Sequence, residues 1–152
     1  MEIKIAKMHD AGYLKELNRG LYGDMSKLSP NEFKVGCFDN EFIKEVILSN
    51  MSDFILLVDK EPVGYIFIQA KKTFDSKMII PHTFSEIYDL YIKEEYRKKG
   101  YGRQLIDAAI NWSKIRGLEY IELNVLSNNS SAINFYQKND FNEKQKVLKL
   151  DI

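Results

Sequence analysis

The sequence predicts an α/β domain, and three observations carry that reading. Between Ser85 and Leu126 the apolar pattern runs strand, glycine-rich turn, helix, strand. Two upstream runs rich in β-forming residues are separated only by Lys60–Pro62, a hairpin signal. The first third of the chain instead carries apolar residues at helical spacing.

Each element follows from its residues. "IKIA" at Ile3–Ala6 alternates as a short strand, and Asp10 stands where a helix N-cap belongs. Tyr13, Leu14, Leu17 and Leu21 recur with helical period. Ser29 and Pro30 predict a second helix start, with proline at its first position. Asp39–Asn50 predicts another helix, with Phe42, Ile43, Val46 and Ile47 on one stripe. "FILLVD" (Phe54–Asp59) and "VGYIFIQA" (Val63–Ala70) are the hairpin strands, and Lys71–His82 reads as a loop or ragged strand end. Ser85–Ile92 is the next strand. Gly102–Arg116 then places Leu105, Ile106, Ala109, Ile110 and Trp112 at helical spacing, with Gly117 at the favoured C-terminal position. Tyr120–Leu126 completes a βαβ unit, so it is expected to run parallel to Ser85–Ile92, with a right-handed crossover. "SNNSSAINFYQKND" (Ser127–Asp140) predicts a last helix, and Phe141 with "KVLKL" (Lys146–Leu150) a closing strand.

At 152 residues the chain is long enough to bury a core without disulfides or metal, and it reads as one domain over residues 1–152. Lys plus Arg equals Asp plus Glu at 22 each, which argues against nucleic-acid and membrane partners and makes any basic site local. A single cysteine, Cys37, excludes an internal disulfide framework and suits a reducing compartment. No apolar leader or membrane-length apolar window is present, so a cytoplasmic location is expected. His9 and His82 stand alone, and no metal is expected.

The local basic site is "EEYRKKGYGRQL", Glu94–Leu105, with four basic residues around two glycines at a helix start. Free N–H groups and the positive end of the helix dipole suit an anion there. Arg97, Lys98, Lys99 and Arg103 raise the potential, while Gly100 and Gly102 admit close backbone approach. A solvated turn is the plain alternative. The nucleoside triphosphate signature is absent, and the dinucleotide signature fails because residue 105 is leucine.

Arg97-x-x-Gly100-x-Gly102, after a strand and opening a long helix, resembles motif A of the GNAT superfamily of N-acetyltransferases. "NSSAINFY" (Asn129–Tyr136) is similar to the family's motif B region, although Asp140-Phe141 replaces its usual Gly-Phe pair. The resemblance covers roughly Ser85–Phe141. It implies a mixed, mostly antiparallel central sheet containing the parallel βαβ unit, with helices on both faces. It further implies an acetyl-CoA-dependent N-acetyltransferase working by direct transfer in a ternary complex.

By that resemblance, the N–H groups of Arg97–Gly102, including Tyr101, hold the CoA pyrophosphate. The backbone of Leu90, Tyr91 and Ile92 pairs with the pantetheine arm, and an N–H near Leu90 stabilises the oxyanion. Asn129 and Asn134 match cofactor-contacting positions, and Lys138 is either a 3′-phosphate ligand or a solvated helix lysine. Tyr136 is the expected general acid toward the leaving thiolate. Its ordinary pKa of about 10 lies above a thiol's at about 8.5, and a downhill transfer is expected from this. Glu86 and Asp89 are candidate bases, brought to one side if a bulge falls between them; Glu122 is a third.

The acceptor is expected to be a small polyamine or aminoglycoside-like amine, since Glu86, Asp89, Asp39 and Asp24 would suit a polycation. Two alternatives stand: a protein or peptide acceptor, and a CoA-holding module without turnover. A homodimer is expected from relatives. Cys37 and Trp112 are expected in the core, and Tyr22, Phe33, Phe38 and Phe42 pack there or line an acceptor pocket.

Overall fold

In the computed structural model, which describes residues 1–152, alternate residues of the central strands enter two separate cores. The sheet order is β1 (Glu2–Ile5), β2 (Ser52–Asp59), β3 (Glu61–Lys72), β4 (Thr83–Ile92), β5 (Ile121–Leu123). All neighbours are antiparallel except β4 and β5, which are parallel. Phe54, Leu56, Tyr65 and Phe67 meet Leu14 and Leu17 of α1 (Ala11–Leu28) and Ile43 and Val46 of α2 (Asn40–Leu48). Ile55, Leu57, Ile66 and Ile68 meet Leu105, Ile106, Ala109 and Trp112 of α3 (Tyr101–Ile115). Phe135 and Tyr136 of α4 (Ser130–Lys138) pack on that second core, so helices cover both faces. Continuous apolar runs, whose successive side chains enter opposite faces, are the physical reason one sheet can serve two cores.

Helix ends follow local chemistry. Asp39 caps α2 by accepting from Phe42 N–H at 2.8 Å, and Gly117 takes φ +67° just past α3. Asp10 precedes α1, but its carboxylate turns back to the Lys7 N–H at 2.9 Å. Trp112 is buried, its Nε1–H donating to Asp53 of β2 at 2.8 Å.

Four expectations are corrected. No helix starts at Ser29; Ser29 closes α1, and one turn follows through Phe33 N–H to Ser29 O at 3.0 Å. Before Gly36 that stretch offers only Phe33 and an exposed Val35 as apolar anchors, too little burial to continue a helix. Cys37 is exposed in the loop before α2, where Arg19 donates to its Sγ at 3.2 Å. The strand expected over Tyr120–Leu126 keeps only three residues. "KVLKL" forms no strand, because the residues beyond Lys144 meet no partner strand; a strand's stability comes from its cross-strand neighbours.

Candidate active site

The shortness of β5 makes the site. It pairs with β4 only at Ser85–Ile87, so β4 from Tyr88 to Ile92 has no neighbour on that side. Lys93 N–H donates to Val63 O at 2.9 Å, and donors alternate along an antiparallel pair. The N–H and C=O groups of Ile92 and Leu90 therefore point away from β3, into the gap. Ile92 O accepts Arg97 Nε there at 2.7 Å. Leu90 leans on the α3 core, whereas Tyr91 packs on the α1 side, where a methyl on Gly20 would strike its ring.

A bulge lies where the two carboxylates require it. Phe67 pairs with Asp89 and Ile68 with Ile87, leaving Tyr88 as the extra residue. Glu86 and Asp89 consequently share the α1 side of β4, both buried at 8% and 7% exposure. Their environments differ. Glu86 is paired with Lys71 at 3.5 Å. Asp89 has no cation within ion-pair distance; Tyr65 Oη–H donates to its Oδ2 at 3.0 Å. Burial pushes the Asp89 carboxyl from its ordinary 3.8 up to about 6, against the lowering effect of that hydrogen bond.

Across the gap, Tyr136 is partly buried against Phe135 and Phe141. Burial first, and the Asp89 charge second, push its hydroxyl up to about 12. The downhill transfer expected from ordinary pKa values is thus corrected. An acid donates downhill only to a base whose conjugate acid has the higher pKa, and a thiol at about 8.5 lies below even an ordinary tyrosine. Tyr136 keeps its proton and can stabilise a departing sulfur by hydrogen bonding.

Beyond β4, Lys98 and Gly100 take φ +59° and +85°, and Gly100 caps α3 without a side-chain bond. None of the backbone N–H groups from Lys98 to Arg103 has an acceptor in the protein. The expected set began at Arg97, but its N–H is already bonded to Glu94 O at 3.1 Å. The two glycines serve different ends. Gly100 has open space around a Cβ and is required by its φ, whereas a Cβ on Gly102 would lie 2.8 Å from the Phe135 ring. Arg97 also reaches Asp24 of α1 at 2.9 Å, and Arg103 reaches Asp107 at 3.1 Å and Asn139 at 3.0 Å. Lys98 and Lys99 are exposed and have no carboxylate partner. Tyr101 is partly buried against the α3 core.

Asn129 caps α4, accepting from Ala132 N–H at 3.2 Å. Asn134 and Lys138 are exposed, each two residues from Tyr136 and so on other faces of the helix. Glu122 is held by Lys144. No group of three or more His, Cys, Asp or Glu side chains is placed to hold a metal ion.

A strand that outruns its short parallel neighbour, with free amides beyond its end and a buried carboxylate on it, belongs to a chain that resembles known acetyltransferases. The description "Acetyltransferase (GNAT) family" matches residues 19–141. The chain belongs to the GNAT family. An N-alpha-acetyltransferase of Saccharolobus solfataricus is 31% identical over 111 residues, covering 71% of this chain and 66% of that protein. The chain spans between 40% and 66% of the length of the curated relatives it matches. The solved structure of a tetramutant of the BH1408 protein from Bacillus halodurans superposes with TM-score 0.93 at 21% identity, covering 100% of both chains. The aminoglycoside N-acetyltransferase AAC(6')-Iy in complex with CoA superposes with TM-score 0.70 at 15% identity, covering 99% of this chain and 93% of that one. These two likenesses establish the GNAT fold.

Two residues of the site escaped the sequence reading. Asn18 and Tyr65, 1% and 0% exposed, stand behind Asp89: Asn18 Nδ2 donates to Tyr65 Oη at 2.9 Å. The available signal was an asparagine one turn after Leu14 on the apolar stripe of α1, a polar group placed where burial demands partners.

Proposed function

We propose that this chain transfers an acetyl group from acetyl-CoA to a primary amine in the β4–β5 gap. The observation that carries the reading is Asp89, a buried carboxylate without a cation, set beside unpaired β4 backbone, with its charge felt at the Tyr136 hydroxyl. The amides of Lys98–Arg103 fit a pyrophosphate, with Lys98 and Lys99 adding positive potential. The unpaired groups of Leu90 and the Ile92 N–H fit the pantetheine amides, while the Ile92 carbonyl is held by Arg97. Bound acetyl-CoA supplies an activated thioester; the remaining work belongs to the protein. Asp89 takes one proton from the acceptor ammonium, and the free amine forms its C–N bond at the acetyl carbon while the Leu90 N–H hydrogen-bonds the acetyl oxygen. The C–S bond then breaks, the Tyr136 hydroxyl hydrogen-bonds the departing sulfur, and the second nitrogen proton leaves with the thiolate as the CoA thiol.

The acceptor in this reading is a small amine, with support from the shared fold of the aminoglycoside enzyme. The chain's own carboxylates do not add a polycation site: Asp24 is tied to Arg97, Asp39 caps α2, and Glu86 pairs with Lys71. One ammonium at Asp89 is what the site asks for. A second reading, the α-amine of a peptide, draws on relatives named N-alpha-acetyltransferase at 33% and 31% identity. It also draws on proton matching, since an α-ammonium has a pKa of about 8 against about 10.4 for an alkylammonium, closer to the Asp89 carboxyl.

The test is thiol release from acetyl-CoA with a simple monoamine, a polyamine, an aminoglycoside and short peptides with free N-termini. Amine-dependent release is expected. Turnover of peptides far above every small amine selects the second reading, and CoA binding without release for any amine overturns the catalytic one.

A further inference from the structure

Behind Asp89 a chain of hydrogen bonds leads to the loop before α2, and each link fixes the direction of the next. Phe38 N–H can only donate, and it donates to Asn18 Oδ1 at 2.9 Å. The asparagine amide is thereby oriented, so its Nδ2 faces Tyr65 Oη at 2.9 Å as a donor. Tyr65 must then accept from Asn18, and its single proton is left for Asp89 Oδ2 at 3.0 Å. Nothing in this chain can reverse without leaving a buried group unpaired. Asn18 and Tyr65 are nearly or wholly buried, and neither belongs to the glycine-rich turn or to α4.

We infer that Asn18 and Tyr65 are positioning residues that aim a fixed proton at Asp89 Oδ2, favouring the carboxylate form and leaving Oδ1 as the oxygen that accepts a proton from the substrate. The link to catalysis rests on the acetyl-transfer reading; the link to Asp89 ionisation does not. The titratable groups around Asp89 are Tyr22 of α1, Tyr65 of β3, Tyr136 of α4 and Glu86 of its own strand, whose charge Lys71 balances. Tyr65 is the one among them that donates a hydrogen bond to it. The bond favours the charged form, while burial disfavours it.

Two variants test this. Tyr65→Phe deletes the proton donor with little change of volume. Asn18→Asp keeps the shape and the acceptor for Phe38, but replaces the Nδ2 donor with an oxygen that competes for the Tyr65 proton. The readout is the titration of the Asp89 carboxyl carbon by NMR in aspartate-labelled protein, assigned by loss of its signal in Asp89→Asn. Both variants are expected to move the midpoint to higher pH, by about one unit. A midpoint unmoved in every variant that folds overturns the inference, whatever happens to activity, because a merely structural role lowers thermal stability without moving it. The acid limb of kcat/KM, measured beside it, separates the two readings. If the NMR midpoint moves and the limb moves with it, both stand. If the midpoint moves and the limb does not, the relay stands and Asp89 is not the base.

Discussion

Replacing Asp89 by Asn isolates the stability cost of one buried charge. The carboxyl is 7% exposed and its pKa is raised from 3.8 to about 6. A raised folded-state value means that ionisation is harder in the folded chain than in the unfolded one. The group's contribution to stability is therefore fully present below pH ~4 and is lost as pH rises through about 6. The interval corresponds to about 3 kcal/mol, of which about 2 kcal/mol falls between pH 4.5 and pH 8. Asn does not titrate, and its Oδ1 still accepts from Tyr65. Any cost of placing its amide N–H groups in the site is independent of pH. Comparing two pH values cancels that cost. Urea unfolding of both proteins at pH 4.5 and pH 8 is the assay. The stability of the variant relative to wild type is expected to be about 2 kcal/mol more favourable at pH 8 than at pH 4.5. A difference below about 0.5 kcal/mol, near the error of such extrapolations, refutes the desolvated carboxylate.

Four further outcomes are expected. Tyr136→Phe lowers kcat about a hundredfold and leaves acetyl-CoA affinity by calorimetry unchanged, because the hydroxyl acts on the departing sulfur. Gly102→Ala lowers stability by about 1–3 kcal/mol through the Phe135 contact and is relieved by Phe135→Leu. Gly100→Ala costs about 1 kcal/mol through its positive φ and is not relieved by the same change, so thermal melts of the double variants tell the two glycines apart. Glu86→Gln leaves the acid limb of kcat/KM in place, since Lys71 already holds that carboxylate; a limb that vanishes in Glu86→Gln and persists in Asp89→Asn would exchange their roles.

Local rules read most of this fold. Asp39 as cap, Gly117 past the end of α3 and the strand-to-helix change at Gly100 are decided within a few residues, and each appears where its residue type calls for it. The failures are long-range. "KVLKL" has a strand composition, but a strand exists only if a neighbour accepts its hydrogen bonds, and no strand lies beside it. The short β5 is the same effect with a functional result, because its early end opens the gap. Within the site, the odd spacing of Glu86 and Asp89 hinted at a bulge, and the register at Tyr88 supplies it. Which carboxylate carries a cation was not legible, because Lys71 sits on another strand. The Asn18–Tyr65 relay joins positions 47 residues apart, and spacing along the chain could not reveal it.

The central claim is that Asp89 removes the acceptor's proton in the gap, and the pH profile of kcat/KM across amines of different basicity tests it most directly. With Asp89 as base, the acid limb is expected at about pH 6 for every amine and to vanish in Asp89→Asn. An acid limb that follows the pKa of each amine, and is the same in wild type and variant, would mean that the acceptor arrives already deprotonated and would contradict the account.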